Sequence, residues 1–324
     1  MANILFTVAE DEDGSTPDSL ALKYSVDEHD CLHFADQLEL LGHRVFFANW
    51  KNLSNGTFHR LFRRRESRFV EAMALHQFDL AFVYKMEGFL FNRDAFFAMV
   101  DAMAHSCGAV LNEPATIRHN IKKTYLWELA ERGIAIPQTH RIGDDVLAKL
   151  QSGKKMVLKP LHGERGYGAT LARNASDLQA IAGQEAYYIA QDYLPEIRDG
   201  EKSLAFLGLE YQHAVLKKPT ITNPDEFRCN ESLGGTVQVY EPTSLEIEFA
   251  TTVLKTYQDL GYKAHFSRID FVTTPRGPVL IEAELLNPSM YANYVGRGKA
   301  FGEAFARYCE AHLPSKCREE AALA

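Results

Sequence analysis

The sequence predicts an α/β domain with a parallel sheet, followed by an α+β region of antiparallel strands. Two observations carry this prediction. In the first third of the chain, short apolar strands alternate with helical stretches, which is typical of a parallel sheet covered by helices. Later, β-like runs follow one another with turns about every 8–12 residues. The 324 residues correspond to two or three domains of roughly 100–200 residues each.

The elements of the first domain follow from its apolar periodicity. Strands are predicted at 3–9, 43–50, 78–84 and 108–112, and helices at 29–41, 66–76 and 92–105. No G-x-G-x-x-G follows the first strand; the acidic loop "EDEDGSTPDS" stands there instead. Because ligands of open α/β sheets bind beyond the strand ends, this loop is a candidate substrate contact. A solvated acidic loop is the alternative.

The second region begins with a helix at 119–132, closed by Gly133. Short strands follow, then a helix at 244–261, a β-hairpin at 265–285 and a last helix at 298–312. The predicted division is an N-terminal α/β domain at 1–112, a small lobe at 113–190 and a C-terminal lobe at 191–324.

Composition excludes several classes of protein. Asp and Glu number 43 against 35 Lys and Arg, a formal net charge of -8, so the general basic surface of a nucleic-acid-binding protein is absent. The five cysteines have no C-x-x-C spacing, which argues against a disulfide framework or a zinc ribbon. Neither a signal peptide nor a transmembrane run is recognisable. We therefore expect a cytoplasmic protein without membrane or nucleic-acid partners.

The densest positive cluster is "HRLFRRRESR", residues 59–68. We interpret it as a solvated helix face. A surface for an anionic substrate or partner is the alternative.

A glycine-rich loop lies between two predicted strands in "MVLKPLHGERGYGATL". Gly163, Gly166 and Gly168 allow backbone N–H groups to approach a phosphate chain, and Lys159 would add a positive charge. The loop is neither a P-loop, which needs G-x-x-x-x-G-K-[ST], nor a dinucleotide-binding turn. A flexible β-turn is the alternative.

Three carboxylates fall on one face of the hairpin "SRIDFVTTPRGPVLIEAELLNPS". A three-residue loop at Pro275–Gly277 would place Asp270 opposite Glu282, and Glu284 shares the face of Glu282. Facing like charges destabilise a sheet, so something must compensate them, and a divalent cation is the simplest candidate. Oxygen ligands favour Mg²⁺. The alternative is an exposed face with salt bridges to Arg268 or Arg297.

In the order of these motifs, residues 110–295 resemble the ATP-grasp superfamily. The similarity is to its carboxylate–amine ligases of the glutathione synthetase and ribosomal-protein glutamate ligase types. Further matching segments are "NEPATIRHNIKKTYLWEL", "AQDYLPEIRDGEKSLAFL", "HAVLKKP" and "FRCNESLGG". The resemblance implies an ATP-grasp fold of two lobes after the α/β domain. Two departures, Ser203 where arginine is common and Glu284 where asparagine is usual, argue against glutathione synthesis itself.

The resemblance also assigns roles to residues. It implies ATP and Mg²⁺ as cofactors, with Mg²⁺ on Asp270, Glu282 and Glu284. The predicted ATP ligands are Lys123 (with Lys122 as the fallback), Lys159, Gly163, Gly166, Gly168, the hinge residues Gln191, Asp192, Tyr193 and Leu194, and Glu201 on the ribose. Arg228, Asn230 and Lys217 would face the transferred phosphoryl group.

The implied activity is an ATP-dependent ligase that joins a carboxylate to an amine through an acyl phosphate, giving an amide, ADP and phosphate. The segment from Gly200 to Pro219 looks closest to ligases of specialised or antibiotic pathways, which act on small amino-acid-like molecules. These ligases include a type that catalyses an intramolecular cyclisation. A homo-oligomer is compatible with the resemblance. The alternatives are a non-catalytic ATP-binding regulator on the same fold and a phosphotransferase acting on an acid or alcohol.

Overall fold

The computed structural model describes residues 1–8, 30–63, 65–66, 68–84, 88–163, 166–223, 225–286 and 288–314. The acidic loop proposed as a substrate contact lies outside these ranges. Among the described residues, no helix combines the length and apolar character needed to cross a membrane. The described strands form three sheets. The central strands of the first sheet are parallel, whereas the strands of the other two are antiparallel, as the sequence predicts.

The first sheet has a parallel centre. Its strands are β1 Asn3–Val8, β2 Arg44–Asn49, β3 Leu53–Ser54, β4 Thr57–Arg63, β5 Arg68–Ala74, β6 Leu80–Val83 and β7 Val110–Leu111. The order β2-β1-β6-β7 is parallel, while β4 runs antiparallel to β2, β3 and β5. The four predicted strands are all present, and the α/β class is confirmed.

Helices cover both faces of this sheet because its central strands are apolar on both sides. On one face lie α1 (Asp30–Leu40) and the final helix α7 (Gly298–His312), where Phe34 stacks on Phe305 with ring centroids 4.0 Å apart. On the other face, α2 (Arg93–Ser106) buries Phe96. The last helix of the chain therefore returns to the first sheet.

The prediction of a helix at 66–76 is wrong. These residues form β5, which pairs with β4 in an antiparallel hairpin, and the basic run lies on this hairpin. Pairing with β4 outweighs the helix propensity of Glu71, Ala72 and Met73, because propensity is weak beside sheet contacts. The basic side chains therefore do not form a helix face.

We expect Arg63→Ala to reduce stability without changing activity. The Arg63 side chain is 14% exposed, pairs with Glu66 and lies 5.3 Å from the ring of Phe46. The loss of both contacts should lower the free energy of unfolding by about 1 kcal/mol, measurable by urea denaturation. ATP turnover should stay at the wild-type rate. A large loss of turnover at unchanged stability would instead indicate that the hairpin binds a substrate.

The second sheet is antiparallel and carries the glycine-rich loop. Its strands are β8 Thr139–Arg141, β9 Met156–Pro160, β10 Thr170–Ala172 and β11 Tyr188–Asp192, in the order β10-β9-β11-β8. Helix α5 (Asp144–Gln151) buries Val146 and Leu150 against it. The glycine-rich loop connects β9 to β10.

The third sheet carries the acidic hairpin. Its strands are β12 Glu201–Leu207, β13 Glu210–Lys218, β14 Thr236–Tyr240, β15 Phe266–Thr274 and β16 Gly277–Glu284, in the order β14-β13-β12-β15-β16. Helix α6 (Ser244–Asp259) packs on it and begins with a capping box between Thr243 and Glu246. Lys202 binds Glu246 at 2.7 Å, which fixes this end of α6 on the sheet.

The segment that joins the first sheet to the second differs from prediction in one respect. The single helix predicted at 119–132 is two short helices, α3 (Pro114–Asn120) and α4 (Tyr125–Glu131). Between them, the backbone N–H of Lys123 donates to the carbonyl of Leu161 at 2.9 Å. This tertiary hydrogen bond interrupts the helix and places Lys123 beside the end of β9.

Candidate functional site

A cavity between the second and third sheets contains nearly every residue that the sequence proposed for a site. Of the sixteen predicted residues, all except Gly168 line it; the fallback Lys122 does not. The domain of the first sheet contributes Phe89, which lies in the segment that follows β6. Residues far apart in sequence are therefore brought to one place.

The glycine-rich loop lies against the C-terminal lobe. The carbonyl of Gly163 accepts from Lys123 Nζ at 3.0 Å, and that of Gly166 accepts from Arg228 Nη1 at 3.4 Å. Gly166 has φ 70°, and a Cβ there would come within 3.0 Å of Arg228 Cδ and Asn230 Oδ1. Gly166 is thus required both by its positive φ and by the close approach of the two lobes.

Lys159 lies on β9 within the cavity. Burial lowers the pKa of its ammonium group to about 8, although Glu282 partly opposes this effect. A lysine that loses solvation in this way gains from an anionic ligand, because the ligand replaces the favourable interaction that water gave.

The predicted hinge connects β11 to β12. The N–H groups of Asp192 and Tyr193 donate to the carbonyls of Gln138 (2.9 Å) and Lys155 (3.1 Å). The Asp192 carboxylate accepts from Lys149 at 2.8 Å. Leu194, the next hinge residue, also lines the cavity, and its N–H takes part in neither of these two bonds.

The turn of the acidic hairpin is one residue shorter than predicted. Thr274 pairs with Gly277, so the loop has two residues, and this register alone would place Asp270 opposite Ile281. A β-bulge at Ile281 shifts the register by one, so Asp270 lies opposite Glu282. The predicted pair is present, but the bulge and not the loop produces it.

Cations of the protein compensate these carboxylates. Asp270 accepts from Arg268 at 2.8 Å and from Lys217 at 3.1 Å, while Glu282 accepts from Lys123 at 2.9 Å. Burial alone would raise the pKa of Asp270, but Arg268 and Lys217 hold that pKa well below its usual value. These three side chains thus compensate the carboxylate charges for which the sequence argument invoked a divalent cation.

Two further predicted groups have partners within the cavity. Glu201 forms an ion pair with Lys217, and burial raises the pKa of its carboxyl group. Glu284 accepts from the N–H of Leu286 at 3.0 Å. In the described ranges, no three His, Cys, Asp or Glu side chains are gathered as a ready metal site.

Arg228 and Asn230 lie on the segment between β13 and β14. The Arg228 guanidinium group is held by Glu226, with Nε–Oε1 and Nη2–Oε2 distances of 2.8 and 2.7 Å. Glu226 therefore orients Arg228 towards the glycine-rich loop.

Among the cavity residues that sequence reasoning did not assign to the site are Arg268 and Tyr291. Arg268 was considered only as a salt-bridge partner, and it does bind Asp270; Arg297, the other candidate, donates instead to the carbonyl of Gln212. Strand alternation could have identified Arg268, since it lies two residues from Asp270 and shares its face. Tyr291, with φ 57° and its ring 5.5 Å from the Arg268 guanidinium group, had no sequence signal.

Comparison with known proteins shows what the chain is similar to. Residues 135–290 match the model of the prokaryotic glutathione synthetase ATP-grasp domain. A glutathione synthetase of Agrobacterium fabrum is 29% identical over 194 residues, 57% of each chain. A probable alpha-L-glutamate ligase of Chromohalobacter salexigens is 26% identical over 62% of this chain and 67% of its own. The chain thus spans little more than half the length of the first curated relatives it matches.

Solved structures share the fold over nearly the whole chain. D-cycloserine synthetase has a TM-score of 0.73 at 17% identity, covering 96% of this chain and 99% of that one. A RiPP-associated ATP-grasp ligase of Chryseobacterium gregarium has a TM-score of 0.66 at 11% identity, with coverages of 97% and 98%. The similarity therefore includes the first sheet as well as the two lobes. Residues 135–290, just under half of the chain, are thus similar to the ATP-grasp domain of prokaryotic glutathione synthetases, the chain is similar to glutathione synthetases and glutamate ligases, and nearly its whole length shares the fold of these solved structures.

Proposed function

We propose that the protein is an ATP-dependent ligase that joins a carboxylate to an amine and releases ADP and phosphate. One observation carries the proposal: a single cavity combines two lysines and a glycine-rich loop with a facing pair of carboxylates. Its relatives by sequence include glutathione synthetases and glutamate ligases.

The nucleotide would lie between the second and third sheets. Lys123, Lys159 and the amides of the glycine-rich loop would bind its phosphates, because both lysines and the loop glycines Gly163 and Gly166 line the same cavity. The adenine would meet the hinge at Leu194, and Glu201 would accept from the ribose hydroxyls. In this arrangement, Lys123 exchanges its bond to Glu282 for a phosphate oxygen.

Mg²⁺ fits the donor set of the acidic hairpin. Asp270 and Glu282 face each other on adjacent strands, Glu284 follows on the same face, and all three supply the oxygen ligands that Mg²⁺ prefers. Bound there, Mg²⁺ would neutralise phosphate charge. Before the nucleotide binds, Asp270 and Glu282 are held by the basic side chains of Lys123, Lys217 and Arg268. The phosphates would then give these basic side chains other partners.

The substrate carboxylate would attack the γ-phosphorus, with ADP as the leaving group and an acyl phosphate as the product. Arg228, Asn230 and Lys217 would bind the oxygens of the transferred group, and Arg268 lies close enough to assist. The amine then attacks the acyl carbon, loses a proton and displaces phosphate. The protein mainly positions the reactants and supplies electrostatic stabilisation.

We infer a small amino-acid-like acid as the substrate. The lining of the cavity also includes Arg268, Ser289 and Tyr291, and a guanidinium group beside an aromatic ring suits a small polar molecule with a carboxylate. The fold shared with D-cycloserine synthetase is compatible with an intramolecular cyclisation in a specialised pathway.

A phosphate-release screen with paired amino acids and dipeptides tests the proposal. We expect release of ADP and phosphate only when an acid and an amine are both present, or when one molecule carries both groups. Release of AMP and pyrophosphate would contradict the mechanism. Turnover without any amine would indicate a phosphotransferase, and tight ATP binding without turnover would indicate a regulatory protein.

A further inference from the structure

Two exposed aromatic side chains meet at the boundary between the first sheet's domain and the glycine-rich loop. Phe91 is 76% exposed and Tyr167 is 69% exposed. Their ring centroids are 6.4 Å apart with an interplanar angle of 76°, an edge-to-face contact. Such contacts are favourable for aromatic rings. We call this pair the aromatic latch.

The Phe91 side of the latch is fixed to its domain. Phe91 ends a 3₁₀ turn, Phe89–Phe91, whose first residue is only 3% exposed and packs on Phe96 with centroids 5.2 Å apart. Gly88, at φ 74°, turns the chain into this segment. Phe91 therefore projects from a rigid support.

The Tyr167 side belongs to the loop that covers the cavity. Among the residues of that loop that the structure describes, Gly163 accepts from Lys123 and Gly166 accepts from Arg228. Both bonds use cations that would turn to phosphate oxygens once a nucleotide binds. The latch contains no charged group, so the arrival of phosphates leaves it intact.

We propose that Phe91 is a positioning residue that holds Tyr167, and with it the glycine-rich loop, over the cavity during the reaction. This inference rests on the proposed ligase function for its purpose, because an acyl phosphate must be kept from water. The contact itself does not depend on that function. The first-sheet domain thereby controls how long the loop stays closed.

Hydrogen exchange of the free protein tests the contact without reference to any reaction. An aromatic pair is worth about 1 kcal/mol, so Phe91→Ala should speed exchange of the Ala169 amide, which donates to the Gly166 carbonyl, about fivefold. Tyr167→Ala should have a similar effect, and the double variant should be no faster than either single one. Phe91→Tyr should restore slow exchange, and Tyr187→Ala, which removes an equally exposed tyrosine outside the cavity, should change nothing.

Once a substrate pair is known, Phe91→Ala should increase the ratio of phosphate released to amide formed about fivefold. Additive effects of the two alanine variants, or unchanged exchange, would overturn the latch even in an active ligase. If hydrogen exchange changes as expected but the ratio of phosphate released to amide formed does not, the latch has no role in excluding water. Failure of every ligase assay would contradict the proposed function and leave the exchange result to decide the contact.

Discussion

Glu282→Gln should abolish turnover while the protein stays folded. Glu282 faces Asp270 across the hairpin, and its replacement removes one of the proposed Mg²⁺ ligands. Because a bound metal supplies several kcal/mol of transition-state stabilisation, we expect turnover to fall roughly 10²–10³-fold. ATP hydrolysis and amide formation, measured at saturating Mg²⁺, should fall together.

Stability should hardly change in this variant. Glutamine can still accept from Lys123, and the lost ion pair is partly exposed, so the free energy of unfolding should shift by less than about 1 kcal/mol. Glu210→Gln is the matched control, since it makes the same chemical change at an exposed position of the same sheet. Normal turnover in Glu282→Gln would refute the metal assignment, and unfolding would show that Glu282 is mainly structural.

Lys159→Ala should weaken ATP binding more than it affects any other property. The variant loses a charged hydrogen-bond donor to phosphate, so we expect the Kd for ATP to rise roughly 10- to 100-fold. Isothermal titration calorimetry with ATP or a non-hydrolysable analogue measures this Kd. An unchanged Kd would remove Lys159 from the phosphate site.

The same lysine predicts a pH dependence. Burial lowers the pKa of Lys159 to about 8, so in the free protein its charge is present below pH 8 and lost as pH rises through that value. ATP affinity should therefore decline above pH 8. Lys159→Arg is the control, because guanidinium stays charged and its affinity should remain flat to pH 9. A wild-type profile as flat as that of the arginine variant would contradict the assignment.

The acidic hairpin shows how far the sequence could be interpreted. Alternation of side chains was enough to place Glu282 and Glu284 on one face, but Asp270 lies opposite Glu282 because an unpredicted bulge offsets a turn that is one residue shorter than predicted. Alternation could not reveal that Lys123 and Lys217 neutralise these carboxylates, because those ion pairs join residues more than 50 positions apart. Local patterns specify the strand faces, while the charges that meet them depend on tertiary packing.

The two errors in secondary structure have the same origin. Residues 68–74 form an edge strand because β4 offers a partner, and the helix at 119–132 breaks because Lys123 bonds to Leu161. In both places, a contact with a distant segment overrides local propensity. The first of these contacts shapes only the surface, whereas the second delivers a lysine to the cavity.

The bulge at Ile281 gives the two ends of the hairpin pairing registers that differ by one residue. If Ile281 were accommodated in a regular ladder instead of a bulge, Glu282 would pair with Ile269 and its carboxylate would lie on the opposite face of the sheet. The turn at Pro275–Arg276 is separated from the cavity by the pairs from Thr274–Gly277 to Phe271–Leu280, which hold the register. Loop grafts at that turn should therefore be tolerated, and the hairpin tip offers an insertion point for tags or reporter segments that leaves the carboxylate pair in place.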